Sequence, residues 1–68
     1  MSELTNRIRR FRFDCGEMTQ QELAEKAGVT RQTIIALEAN RYVPSLLLAH
    51  RISHVFAVPI EDVFQFDD

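Results

Sequence analysis

The stretch Thr30-Arg31-Gln32-Thr33 places four hydrogen-bonding side chains in consecutive positions. The guanidinium of arginine and the amide of glutamine can each form two parallel hydrogen bonds with one partner. In the major groove of duplex DNA, the edge of guanine matches the first group and the edge of adenine matches the second. Arg31 and Gln32 are therefore candidates for reading bases, provided that a rigid element carries them outward.

A second candidate for chemistry is the pair His50 and His54, whose spacing puts both imidazoles on one face of a helix, where they can share a metal ion. No adjacent glutamate and no third ligand completes such a site, so surface or partly buried histidines are the preferred interpretation. Cys15 is the only cysteine, which excludes an intramolecular disulfide and zinc sites built on cysteine pairs. The sequence predicts no metal, no cofactor and no enzymatic activity.

Residues 19–39 predict two short helices joined by a tight turn. Thr19 and Glu22 have the spacing of a capping box at the start of the first helix. Gly28 can adopt the left-handed conformation that ends this helix, and Thr30 is a suitable N-cap for the second. Apolar residues at helical spacing form the predicted inner face of the two helices: Leu23, Ala24, Ala27, Ile34 and Leu37. The pattern is typical of a helix-turn-helix.

The outer face of the second helix has the character needed to enter a major groove. Counting about 100° per residue from Ile34, the positions opposite the core or on its flanks are Arg31, Gln32, Thr33, Ala36 and Ala39. Donors at the N-terminal end can reach base edges, and the small residues behind them avoid the groove walls. Ile35 lies on the flank of this face, where it contacts either a thymine methyl group or the neighbouring helix.

Further helices flank this unit and make the predicted fold all-α with five helices. The first is expected from Thr5 to Asp14, the fourth from Ser45 to about Phe56, and a short fifth from Pro59 to Val63. The predicted inner stripe of the first helix is Leu4, Ile8, Phe11 and Cys15. The alternating tail that follows the fifth helix is a candidate strand, paired with the N-terminal residues or with a second subunit.

Four arginines surround the inner stripe of the first helix, and one of them has a predicted structural role. Arg12 is placed to reach Glu38, which lies on the inner side of the second helix of the helix-turn-helix and needs a cationic partner. We predict a largely buried ion pair that ties the two helices together. For Arg9 and Arg10, a solvated face and a functional role are equally open.

Length and charge bound the remaining possibilities. The 68 residues, of which 46% are apolar, permit one small domain over 1–68. The net charge of −2 by itself argues against a nucleic-acid ligand. However, all eight lysines and arginines lie between Arg7 and Arg51, against six acidic residues in 1–51, so this part of the chain is basic and can present a basic face to DNA. Without a signal peptide or an apolar run of membrane length, the chain is expected to be cytoplasmic, with no membrane partner.

The apolar residues exceed what a monomer of this size is expected to bury. Phe64 and Phe66, together with spare leucines of the fourth helix, are predicted to form a dimer contact.

The sequence resembles the Cro/repressor-type helix-turn-helix regulators, also called the xenobiotic-response-element (XRE) family. The resemblance extends from IRRFR at Ile8 through TQQELAEKAGVTRQTI and LEANRYVPSL to IEDVF. It implies a five-helix, lambda-repressor-like fold and a homodimeric, sequence-specific regulator that binds double-stranded DNA, commonly as a repressor. No small-molecule ligand is implied. An antitoxin or co-regulator that uses the same domain mainly for protein contacts is the alternative.

The matching positions imply specific roles. Base contacts are expected from Arg31, Gln32, Ile35 and Ala36, and phosphate contacts from Gln20, Thr30, Thr33, Arg41 and Tyr42. In addition, Gln20 is expected to brace the recognition helix, and Arg12 and Glu38 match the internal ion pair of the family.

This sequence departs from the family's pattern at three places. Ala39-Asn40 replaces the usual Asn-Gly, so a phosphate contact from an asparagine at position 39 is missing. Ala57 stands where glycine normally ends the fourth helix, which costs about 1 kcal/mol if this residue is left-handed. The turn at 16–18 is one residue longer than usual, which leaves the register of Cys15 open.

Overall fold

The computed structural model describes residues 3–67 as five helices and a two-stranded sheet. In chain order the elements are β1 (Glu3–Asn6), α1 (Ile8–Asp14), α2 (Gln20–Ala27), α3 (Arg31–Glu38), α4 (Leu46–Phe56), α5 (Ile60–Val63) and β2 (Phe64–Asp67). The strands are antiparallel, with Leu4 opposite Phe66 and Asn6 opposite Phe64. The predicted five-helix fold is confirmed, and the C-terminal strand pairs with the N-terminal residues of its own chain.

The start of α1 differs from the prediction, because the helix begins at Ile8 and not at Thr5. The side-chain oxygen Oδ1 of Asn6 accepts a hydrogen bond from the Ile8 amide at 3.2 Å, and the Arg7 amide donates to the Val63 carbonyl at 2.8 Å. These contacts and the pairing with β2 satisfy the backbone hydrogen-bonding groups of this segment. If α1 began earlier, the same groups would instead form hydrogen bonds within the helix. Residues 3–6 are therefore extended.

The inner stripe of α1 is correspondingly shorter than predicted. Ile8 is fully buried and Phe11 packs against the core, with its ring 5.4 Å from the ring of Phe56. Leu4 reaches the core from β1, outside the helix. The assignment of Cys15 to this stripe is wrong, because Cys15 is exposed at the end of the helix.

The core lies between the helices and is closed at one side by β2. Its buried apolar members are Ile8, Leu23, Ala24, Ala27, Ile34, Leu37, Ala49, Ile52, Phe56, Val63 and Phe64. The expectation of spare surface on Phe64 is wrong: its side chain is only 7% exposed, whereas that of Phe66 is 73% exposed. Residues i and i+2 of a strand share one face, so both phenylalanines lie on the same side of β2 and border the same groove. Their different burial follows from position along the strand, because Phe64 directly follows α5 and packs into the core, whereas Phe66 lies two residues farther on.

The end of α4 carries a strained residue. Ala57 has φ +57° and ψ +40°, which is the left-handed conformation. The sequence indicates this conformation, because Ala57 stands where glycine normally ends the fourth helix in the family that the chain resembles. An L-residue in this region loses about 1–2 kcal/mol relative to its preferred conformation, because its Cβ crowds the following carbonyl oxygen.

We expect Ala57→Gly to raise the free energy of unfolding by about 0.5–1 kcal/mol, because relief of this strain exceeds the extra entropy that glycine adds to the unfolded chain. Thermal unfolding measures the change. Ala39→Gly is the matched control, since Ala39 also ends a helix but has φ −85°; it should be neutral or destabilising. A lower melting temperature for Ala57→Gly would contradict the argument.

No helix in the described part of the chain is both long and apolar enough to cross a membrane.

Candidate nucleic-acid interface

The two central helices are held by local signals that the sequence already contains. The Thr19 hydroxyl accepts from the Glu22 amide at 3.0 Å, and the Glu22 carboxylate accepts from the Thr19 amide at 3.0 Å, which completes the capping box. Gly28 ends α2 with φ +76°. A Cβ at Gly28 would meet only the Arg51 side chain, at 3.6 Å, so the glycine is required for its backbone conformation and not for space.

The capping box also lowers the pKa of Glu22, chiefly through the hydrogen bond from the Thr19 backbone and then through the Thr19 side chain. A carboxyl group with a lowered pKa stabilises the fold above its ordinary pKa, and this contribution disappears as the pH falls through the lowered value. The start of α2 therefore weakens in acid.

The start of α3 is capped in the same way as that of α2. The Thr30 hydroxyl accepts from the Thr33 amide at 3.3 Å and lies 3.0 Å from the Thr33 hydroxyl. Thr30 and Thr33, two of the five predicted phosphate ligands, thus also order the first turn of the helix.

The C-terminal end of α3 closes in a Schellman motif. Asn40 is left-handed, with φ +57°, and its amide donates to the Leu37 carbonyl at 3.0 Å. The Arg41 amide donates to the Ala36 carbonyl at 2.9 Å. The asparagine therefore performs the C-terminal role that glycine performs in the usual family pattern.

Asn6 is a positioning residue that the sequence analysis missed. Its Nδ2 donates to the Leu37 carbonyl at 2.7 Å and to Oδ1 of Asn40 at 3.1 Å, while its own Oδ1 accepts from the Ile8 amide at 3.2 Å. The contact to Ile8 has a sequence signal, because an asparagine side chain often bonds the backbone two residues farther along in a turn. The contact to α3 spans more than 30 positions of the chain and has no local signal.

The ion pair predicted between Arg12 and Glu38 is present. Arg12 Nε lies 2.6 Å from Glu38 Oε2 and its Nη2 lies 3.0 Å from Oε1, so the guanidinium binds the carboxylate at two points. The side chains are only 13% and 11% exposed, respectively. Arg12 Nη1 also donates to the Met18 carbonyl at 2.8 Å.

Gln20 adds a third contact to the same carboxylate, because its Nε2 donates to Glu38 Oε1 at 3.2 Å. This is the bracing contact that the family resemblance implied. One carboxylate on α3 is therefore bound by side chains of both α1 and α2, which fixes the orientation of the outer face of α3.

The outer face of α3 is open. Arg31 and Gln32 are exposed, and Ile35 is 37% exposed, while Ala36 and Thr33 are half-buried. No carboxylate pairs with Arg31 among the side chains that the structure describes. The first turn of α3 thus presents an unpaired guanidinium and a neighbouring amide to solvent, with the buried Ile34 and Leu37 behind them.

The loop after α3 carries two more of the predicted phosphate ligands. Arg41 is exposed and Tyr42 is 41% exposed. Their side chains are accessible to a ligand, and a phosphate contact from either of them stays a prediction.

The histidine pair lies away from this face. His50 and His54 are exposed on α4, with ring centroids 6.1 Å apart. Within the described residues no group of three or more histidine, cysteine, aspartate or glutamate side chains could hold a metal ion.

A helix-turn-helix with an exposed, polar second helix is the class that this geometry defines. Residues 16–63 match the family model described as helix-turn-helix. An uncharacterized HTH-type transcriptional regulator from Archaeoglobus fulgidus is 55% identical over 65 residues, which are 96% of this chain and 91% of the relative. A protein of the same description from Methanothermobacter thermautotrophicus is 58% identical over 62 residues, 90% of this chain and 88% of the relative.

The chain therefore belongs to the XRE-type helix-turn-helix family, as its sequence predicted. A crystal structure of a proposed DNA-binding protein from Bacteroides fragilis matches this structure with a TM-score of 0.79. The two sequences are 24% identical, and the match covers 91% of this chain and 98% of the Bacteroides chain, so the likeness concerns the fold.

Proposed function

We propose that the protein is a transcriptional regulator that binds a near-palindromic operator in double-stranded DNA as a homodimer and represses the genes beside it. The observation that carries this proposal is the first turn of α3, where Arg31 and Gln32 are exposed side by side on a helix anchored at both ends.

The proposed contacts follow from the chemistry of the two groups. In the major groove, Arg31 would donate to O6 and N7 of guanine, and Gln32 would bond N6 and N7 of adenine. Ile35 and Ala36 would lie against bases farther along the helix. In a dimer of this kind the half-sites are separated by about 10 bp, one turn of DNA, so that both recognition helices meet the same side of the duplex.

Phosphate contacts would supply the affinity that does not depend on sequence. Thr30 and Thr33 lie at the start of α3, Gln20 contacts Glu38 in its last turn, and Arg41 and Tyr42 follow its end. Contacts at both ends of the helix would therefore fix its position in the groove. The net charge of −2 does not oppose this, because the basic residues concentrate in the part of the chain that carries the helix-turn-helix.

The homodimer is supported by an exposed apolar patch of Val43, Leu46 and Phe66, whose side chains are 70%, 79% and 73% exposed. These residues border one groove, together with Leu4 and the buried Phe64. A symmetric contact through this patch buries the same apolar surface on both copies. Two of its members, Val43 and Leu46, follow the end of α3 closely in the chain, as expected of an interface that sets the spacing of two recognition helices.

We expect Leu46→Lys to shift the protein from dimer to monomer, because the contact would then desolvate two charges in an otherwise apolar groove where each has only the exposed Glu61 beside it. Sedimentation equilibrium measures the change. Leu47→Lys is the matched control: Leu47 is 58% exposed on the same helix but borders a different cleft, with His50 and Arg51. If both variants stay dimeric, another surface forms the dimer, and a wild-type monomer at all concentrations would rule the dimer out.

Selection of bound sites from a pool of random DNA tests the function directly. We expect enrichment of sequences with two related half-sites about 10 bp apart, and an affinity that falls steeply with salt concentration as counterions are released. A reporter gene placed behind the selected site should then be silenced. Absence of enrichment and of salt-dependent binding would contradict the proposal and favour an antitoxin or co-regulator that uses the domain for protein contacts.

A further inference from the structure

The arginines on the outer side of α1 have no part in the interface described above. Arg12 is used in the ion pair with Glu38, but Arg9 is exposed, and among the described side chains it has no hydrogen-bond or ion-pair partner. An exposed, unpaired arginine is often only a solubilising charge. The position of Arg9 relative to α3 makes it different from the other cations.

Arg9 borders two clefts that lie along α3. It shares the first with Gln20, Gln21 and Arg31, beside the first turn of the recognition helix. It shares the second with Ile35 and Ala39, farther along the same helix. Arg9 therefore lies next to the outer face of α3 over about two helical turns.

The charge of both clefts is positive. The first cleft has three arginines on its walls, and the second has three as well, Arg9 being common to both. Among the side chains that the structure describes, Glu38 is the only carboxylate that borders either cleft, and it is already bound by Arg12 and Gln20. A strip of uncompensated positive charge thus runs between α1 and α3, and it fits a ligand with repeated negative charges.

We propose that Arg9 contacts a phosphate of the DNA backbone, so that α1 forms part of the DNA interface. This inference rests on the proposed function. If α3 occupies the major groove, a phosphate ridge borders the helix on each side, and one ridge passes the cleft in which Arg9, Gln20 and Arg31 meet. Arg9 would then add one ionic contact that strengthens binding to every sequence without selecting a base.

The test is the salt dependence of binding by Arg9→Ala, measured on the selected operator and on unrelated DNA. We expect the slope of log K against log salt to become shallower by about 0.9, which is the loss of one phosphate contact, and the affinity at 0.15 M salt to fall about fivefold on both DNAs. Arg9→Lys keeps the charge and should retain most of the slope.

Arg51→Ala is the matched control. Arg51 is an exposed arginine on α4, and the cleft that it borders shares no residue with the two clefts of Arg9. Its removal should leave the slope unchanged.

The outcomes separate this inference from the proposed function. If the wild type binds DNA with an unchanged slope after Arg9→Ala, the inference is overturned and the proposed function stands. If the affinity falls only on the selected operator, Arg9 contacts a base, which also overturns the inference. If the wild type binds no DNA, the proposed function fails at an earlier step.

Discussion

Glu38→Gln is expected to lower the free energy of unfolding by about 3 kcal/mol, because it removes the negative charge that compensates the largely buried Arg12. A domain of this size loses about 4–8 °C in melting temperature for each kcal/mol, so the shift should exceed 10 °C. Thermal unfolding followed by circular dichroism measures it. The effect is large because Arg12, Gln20 and Glu38 join three helices at one carboxylate.

The control for this prediction is Glu25→Gln. Glu25 is an exposed glutamate on α2 whose carboxylate accepts only from Gln21 of the same helix, at 3.1 Å, among the contacts described. Its replacement should change the stability by less than about 0.5 kcal/mol. An unchanged melting temperature for Glu38→Gln would show that the ion pair contributes nothing to the fold.

A double-mutant cycle extends the test. Arg12→Met combined with Glu38→Leu removes both charges and places apolar groups in the same space. Such replacements are often close to neutral, whereas each single change leaves an unpaired charge. We therefore expect the double variant to be more stable than either Arg12→Met or Glu38→Leu alone. If the double variant also binds the selected operator less well, the pair additionally orients the recognition helix.

Arg31→Ala is expected to weaken binding to the selected operator by about 1–3 kcal/mol, or about 5- to 150-fold, and to relax the preference at one base position. The physical reason is the loss of two parallel hydrogen bonds to guanine. Binding isotherms on the operator and on each single-base variant measure both effects. Arg31 is exposed and unpaired within the described residues, so its removal should leave the melting temperature unchanged.

The variant Arg31→Lys distinguishes a base contact from a phosphate contact. Lysine keeps the positive charge but lacks the planar fork that forms two parallel hydrogen bonds. If Arg31 reads a base, lysine should restore general DNA affinity and leave the base preference weak. An equal loss on all sequences after Arg31→Ala, restored by lysine, would instead identify a phosphate contact.

The two arginine predictions, for Arg31 and Arg9, differ in what they measure. Arg31 is expected to change the ranking of DNA sequences, and Arg9 is expected to change the salt slope without changing that ranking. Their comparison in one set of titrations distinguishes base reading from phosphate binding within the same cleft.

Much of the helix-turn-helix was predictable because its signals are local. A capping box, a helix-ending glycine and an N-cap threonine each act within about four residues, and the structure shows all three. The helical spacing of Ile34 and Leu37 likewise decides which side of α3 is buried and which side carries Arg31. The ion pair was predictable because a glutamate on a buried face requires a cation.

The contacts of the chain ends were decided by the tertiary structure alone. Residues 3–6 could have extended α1, but pairing with β2 holds them as a strand, and this pairing joins residues more than 55 positions apart. Phe64 is buried and Phe66 is exposed although both lie on the same face of β2, and no local pattern distinguishes them. Asn6 reaches α3 only because β1 passes beside its C-terminal end. Capping and periodicity act between neighbours in the chain, whereas strand pairing and closure of the core depend on which distant segments meet.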